Sequence, residues 1–279
     1  MHRLLCLGVA AAAQVVASAV PLAAQDDKPD AGRWQLEGLR TGFCVQLLLD
    51  PASEALRDLP KGYRPLPASE VADLHLSLRG VVEGQPEFAS WSPSRLCFHA
   101  LDTIRTSEFT LGDRSGRRPQ LFAIWAVTAA DPGGAAREVV LDLFANSERL
   151  IRSARLAGAI VRAARLSVGK VPEEDENGVP VTDDRFQVKV GKTTVTWDGR
   201  LVGDSVVVRE PIETTWIAAS DRGSQVVGQL TLSPVYSRAM AGALKVDGKD
   251  AFAKALKASP TRFAGPAFRG GAGQVTFAR

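Results

Sequence analysis

Two of the three histidines, His75 and His99, are the residues of this chain best suited to moving a proton. His99 shares a strand face with Cys97, and Asp102 follows shortly after. Cys–His or His–Asp pairs at such spacing suit nucleophilic or acid–base work, because imidazole titrates near neutrality and can activate a thiol or be oriented by a carboxylate. Two features weigh against that use. Alternation along a straight strand puts Asp102 on the face opposite His99, and Cys97 is one half of a possible disulfide with Cys44. The sequence therefore yields no catalytic residue. With so few histidines and no zinc-like His/Cys spacing it yields no metal site, and no cofactor motif is present.

Other constellations have bland readings beside the functional ones. Glu173-x-Asp175-x-Asn177-Gly178 with Asp184 copies part of a calcium loop, but Glu replaces the first Asp and Asp replaces the final bidentate Glu. An acidic solvated loop is the better reading. Gly270-Gly271-Ala272-Gly273 lacks the following lysine and hydroxyl of a phosphate loop, and no G-x-S-x-G, H-E-x-x-H or dinucleotide fingerprint occurs. Arg149, Arg152, Arg155, Arg162 and Arg165 recur at helical spacing, a face that is solvated or grips an anion. Trp125, Trp197 and Trp216 fall in strand patterns, where they line an apolar cavity or fill a core.

The elements that position these residues are mostly strands. Residues 34–49 read as a strand ending at Asp50-Pro51, which caps a short helix over 52–58. Ser69 caps a second helix running to about Val82. Residues 95–110 and 119–128 form a hairpin around a charged turn, and 138–144 is a further strand. Leu150, Ala154, Ala157, Ile160, Val161 and Ala164 fall on one arc opposite the arginines, which predicts one long amphipathic helix over 147–166. Period-two strands follow to Leu232, then a helix over 250–258 and a last strand over 274–278. Strands without regular strand–helix alternation predict an α+β fold, mainly antiparallel, with one long helix and two or three short ones.

The 279 residues are 45% hydrophobic and 23% charged, which excludes fibrous, low-complexity and disulfide-dense chains. A net charge of +3 is too small for a nucleic-acid partner. Met1-His2-Arg3, an apolar Ala-rich run and small residues at Ala23-Ala24 read as a secretory signal peptide over 1–24, an uncleaved anchor being the alternative. Residues 25–33 then form a flexible segment and 34–279 a single domain, periplasmic or secreted, with no later membrane span. The basic C-terminal stretch is a solvated face or a peripheral contact with an anionic envelope surface. In an oxidising compartment Cys44 and Cys97 form a disulfide or remain two buried thiols.

Phe43-Cys44-Val45-Gln46-Leu47-Leu48-Leu49-Asp50-Pro51, followed by Ala55-Leu56-Arg57-Asp58-Leu59-Pro60-Lys61-Gly62-Tyr63, resembles the opening segment of acetoacetate decarboxylase-like domains. The resemblance implies an antiparallel β-barrel or cone around a hydrophobic pocket. It also implies a lysine pair on or beside the central helix, one lysine condensing with a ketone while its neighbour lowers its pKa. The corresponding stretch here, Ser147 to Leu166, holds no lysine. Arginine is no amine nucleophile, so Schiff-base decarboxylation is not expected.

The expected function is binding or carriage of a small apolar or amphipathic, acidic ligand in the pocket, by His99, Trp125, Arg149, Arg152, Trp197 and Trp216. The alternatives are a lyase or hydrolase of the same fold with altered chemistry, and an envelope interaction protein with no site.

Overall fold

Seventeen consecutive residues, Arg33–Leu49, form the strand around which the molecule is organised (β1). Apolar residues at both parities let it bury both faces. Phe43, Val45, Leu47 and Leu49 enter one apolar cluster, while Trp34, Leu36 and Leu39 enter another. The computed structural model describes residues 33–72, 76–112, 119–174, 180–219 and 225–278.

The remaining strands, in chain order, are β2 (Arg64–Pro65), β3 (Ser92–Arg105), β4 (Thr110–Gly112), β5 (Gln120–Ala130), β6 (Ala136–Ala145), β7 (Arg162–Ala163) and β8 (Arg165–Glu174). They continue as β9 (Pro180–Val190), β10 (Thr193–Val208), β11 (Ile212–Ala219), β12 (Gln225–Ser233), β13 (Val235–Asp247), β14 (Phe263–Ala264), β15 (Ala267–Arg269) and β16 (Ala272–Ala278). Four short helices accompany them: α1 (Ala68–Val71), α2 (Leu76–Gly84), α3 (Glu148–Leu156) and α4 (Ala251–Ala258).

All sixteen strands belong to one sheet, antiparallel except where β11 and β7 run parallel to β6. β1 pairs with β3 as well as β16, so the pairings β1–β3–β5–β6–β11–β12–β16–β1 return to their start. One core lies among these strands and α3, with Trp34, Phe122, Trp216, Leu230 and Phe277 at its centre. The second lies between the other face of β1, β3 and β5 and the layer made by β9, β10, β13 and α4. There Phe43, Phe98, Phe186 and Trp197 pack ring against ring, with centroids 5.0–5.9 Å apart.

Three sequence expectations are corrected here. The helix over 147–166 ends after Leu156, because Gly158 takes φ +93° and stops it, and Arg162 and Arg165 continue as strands. No long helix exists among the described residues; α2 and α3 have 9 residues each. The Asp50-Pro51 helix is a 3-10 turn over Glu54–Asp58, because Asp50 spends its carboxylate on the Ala52 N–H. The helix begun at Ser69 is divided into α1 and α2, and His75 lies outside the described residues, as do residues 1–24 and the centre of the calcium-like segment. α4 is as expected, with Asp250 Oδ1 accepting from the Ala253 N–H.

Candidate functional site

The six residues expected to line one pocket are divided between two packed cores and the surface. Trp125 and Trp197 are buried in one core and Trp216 in the other. Trp197 donates its indole N–H towards Met240 Sδ at 3.2 Å, and Trp125 donates to Ser94 Oγ at 3.0 Å. Arg149 and Arg152 are exposed on α3, the first with its guanidinium 6.0 Å from the Phe109 ring centre. The space between Phe98, Phe122, Leu166 and Phe186 is about 10 Å³, room for one water.

His99 borders that space. Its ring stacks on Phe122 with centroids 4.5 Å apart, and its Nδ1 is buried without a hydrogen-bond partner among the described residues. Burial first, and the Arg95 charge second, push its pKa down to about 3. The imidazole is thus neutral at physiological pH and sealed from solvent. Its neighbour Cys97 is not a thiol. Cys44 and Cys97 are directly opposed on β1 and β3 and joined by a disulfide, with Cα atoms 3.9 Å apart. Asp102 is held by Arg40 at 2.7 Å.

A pair that the sequence did not single out has the features of a chemical site. β7 pairs with the end of β6, placing Arg162 opposite Phe144. From there Arg162 Nη1 donates to Asp142 Oδ2 at 2.7 Å, and the guanidinium carbon lies 5.8 Å from the Phe144 ring centre. Asp142 is well buried beside an apolar core, whereas the Arg162 side chain is 42% exposed. Burial raises the Asp142 pKa above the ordinary carboxylate value despite the attraction of Arg162, and the charges of Asp58 and Asp250 push the same way. A carboxyl of raised proton affinity touching a cation that solvent reaches can exchange a proton with an anion bound at that cation. The only sequence signal for the pair was Arg162 within the arginine series, where helical periodicity disguised it.

Every lysine whose side chain is described is exposed, so among them none is desolvated as an amine nucleophile requires. Among the described residues no group of three or more His, Cys, Asp or Glu side chains is placed to hold a metal, and no helix is long and apolar enough to cross a membrane.

No protein-family model matches this chain, and no curated protein matches it. Solved structures similar to it are an acetoacetate decarboxylase and enzymes like it, the family that residues 43–63 resemble. An acetoacetate decarboxylase-like enzyme from Sphingomonas wittichii RW1 aligns over 88% of this chain and 91% of its own, at 8% identity and a TM-score of 0.48. The enduracididine biosynthesis enzyme MppR complexed with pyruvate aligns over 92% and 91%, at 12% identity and a TM-score of 0.46. Acetoacetate decarboxylase itself aligns over 88% and 87%, at 12% identity and a TM-score of 0.45.

Proposed function

We propose that this chain is an enzyme with altered chemistry on an acetoacetate decarboxylase-like fold, a lyase or hydrolase that acts on a small anionic substrate by acid–base catalysis and forms no Schiff base. The observation that carries the reading is the Asp142–Arg162 pair. Arg162 belongs to Ser147–Leu166, the stretch in which the resemblance implies the lysine pair. In place of an amine able to attack a ketone, the segment offers a fixed cation against a carboxyl of raised pKa.

The proposed roles follow from charge. Arg162 is the anion receptor, its fork of N–H groups wide enough to hold a substrate carboxylate beside Asp142. When a second anion engages Arg162, Asp142 loses part of its counter-charge and its affinity for a proton rises. The protonated form of Asp142 donates to the leaving oxygen as its bond to the acyl carbon breaks, and the water that adds to that carbon returns a proton to the carboxylate. His99 takes no part, since it is sealed and neutral. The same proposal places the protein outside the cytoplasm, supported by the leader-like residues 1–24 and by a disulfide suited to an oxidising compartment.

The test is turnover of a panel of small keto acids, hydroxy acids and carboxylate-bearing esters, followed by proton NMR with the wild type and Asp142→Asn. The expected result is turnover that falls roughly 10²–10⁴-fold in the variant, with no adduct trapped by borohydride. No turnover on any compound, equal turnover by the variant, or a trapped adduct would each contradict the proposal.

A further inference from the structure

We infer that the outward face of α3, with the turn that follows it, seats the protein against a bilayer surface of anionic phosphodiester headgroups. Arg149, Arg152 and Leu156 stand at i, i+3 and i+7, which puts them on one stripe of the helix, and Arg155 lies beside them. The opposite stripe, Leu150, Ile151 and Ala154, is buried in the core around Trp34, whose indole N–H donates to Ser153 Oγ at 3.2 Å. The helix is thereby fixed in rotation, and its arginines are held outward.

Two features of this face point to a bilayer. The first is apolar. Leu156 is 50% exposed and Ile160 is 49% exposed, on either side of the turn that Gly158 makes at φ +93°. Ala159 and Val161 are buried, so the chain aims Ile160 away from the core. The second feature is charge. Arg149, Arg152 and Arg155 are exposed, and among the described residues none of them meets a carboxylate. Arg155 donates through Nη2 to the Val161 carbonyl at 3.0 Å, and Arg149 stands over Phe109; neither contact offsets a positive charge. Glu148, the one acid of the helix, sits at its first residue, where its charge complements the N-terminus. Exposed aliphatic side chains beside uncompensated guanidinium groups match a bilayer in depth. The aliphatic tips enter the acyl boundary, while the long arginine stems let the forks reach phosphodiester oxygens.

Two other surfaces lack this combination. Val206, Val207 and Tyr236 are exposed together, but Asp204 and Glu210 flank the valines and an anionic surface repels both. In the basic C-terminal stretch Lys245 is held by Asp198 at 3.0 Å, Asp247 and Asp250 intervene, and α4 exposes no large apolar side chain.

The test is cosedimentation of the full chain with vesicles of phosphatidylcholine and phosphatidylglycerol in equal amounts, against vesicles of phosphatidylcholine alone. Partition onto the anionic vesicles should be at least roughly tenfold stronger and should weaken as salt is raised. Arg149→Gln/Arg152→Gln should reduce it roughly tenfold or more. Leu156→Ser/Ile160→Ser should reduce it about tenfold at every salt concentration. Both pairs replace exposed side chains, so circular dichroism and melting should match the wild type. Lys249→Gln/Lys254→Gln should bind as the wild type does. Asp142→Asn should do the same, so failure here is separable from failure of the proposed chemistry. Equal partition onto both kinds of vesicle, no partition onto either, or a loss in the lysine variant equal to that in the arginine variant would overturn the inference. Undiminished binding by either α3 variant would do so too, because binding carried by residues 1–24 would survive both. So would displacement by soluble glycerol phosphate at matched phosphate concentration, which would mark a site for one phosphate in place of a surface.

Discussion

Asp142 and Arg162 are 2.7 Å apart, yet burial outweighs the ion pair and raises the carboxyl's pKa above the ordinary aspartate value. An Asp whose folded pKa is raised adds stability below its unfolded pKa and loses it as pH rises through the folded one. Asp142→Asn, which carries no charge to desolvate, should therefore gain stability relative to the wild type as pH climbs from 3 to 7. Urea denaturation at several pH values reads this directly, and a difference that is flat with pH would contradict the burial argument.

Removing the cation has the opposite sign. Arg162→Gln leaves the Asp142 charge without its hydrogen-bonded partner, and unfolding free energy at pH 7 should fall by about 1–3 kcal/mol. The loss should shrink at pH 3, where the carboxyl is neutral in both proteins.

His99 sets a second pH dependence. Its folded pKa of about 3 lies below the free value of 6.5, so the unfolded chain binds the extra proton between them. Stability is complete above pH 6.5 and drains as pH falls towards 3, by about 1.4 kcal/mol per pH unit. His99→Phe should match the wild type at pH 7 within about 1 kcal/mol and exceed it at pH 4. Acid-induced unfolding followed by tryptophan fluorescence measures the difference.

Linkage of β1 to β3 through Cys44 and Cys97 closes a sequence separation of 53 residues. On the chain-entropy view its loss costs roughly 4 kcal/mol. The double variant Cys44→Ala/Cys97→Ala should unfold at correspondingly lower denaturant, and the wild type should follow it in reductant.

Two tryptophans lie flat against neighbouring glycines. The Trp197 ring occupies the space where Gly242 would carry a Cβ, and the Trp216 ring does the same at Gly228. Gly242→Ala and Gly228→Ala should each cost about 1–3 kcal/mol by forcing the rings out of their packing. A thermal shift of several degrees for each, with no comparable loss in a control whose Cβ meets open space, such as Gly169→Ala, is the expected pattern.

Much of the scaffold was legible because it obeys local rules. Long apolar runs bounded by turn residues marked β1, β3 and β5, and the Asp250 cap with Ser259-Pro260 marked α4. The segment after α3 was not legible. Apolar residues at helical spacing ran on through Ala164, so the pattern outvoted Gly158, whose positive φ ends the helix. That one turn moved Arg162 from a solvated helix face to the sheet, beside Asp142. The aromatic contact between layers was hidden for another reason. Period-two patterning names the residues that face inward but not how far the opposite layer stands from them, and Phe43, Phe98, Phe186 and Trp197 meet ring against ring.

The central claim rests on the raised proton affinity of Asp142. Carbon-13 NMR titration of its side-chain carboxyl, in the wild type and in Arg162→Gln, addresses it most directly. The account predicts a midpoint above the ordinary aspartate value in the wild type and higher still in the variant. A wild-type midpoint at or below that value, unmoved by loss of the guanidinium, would contradict it.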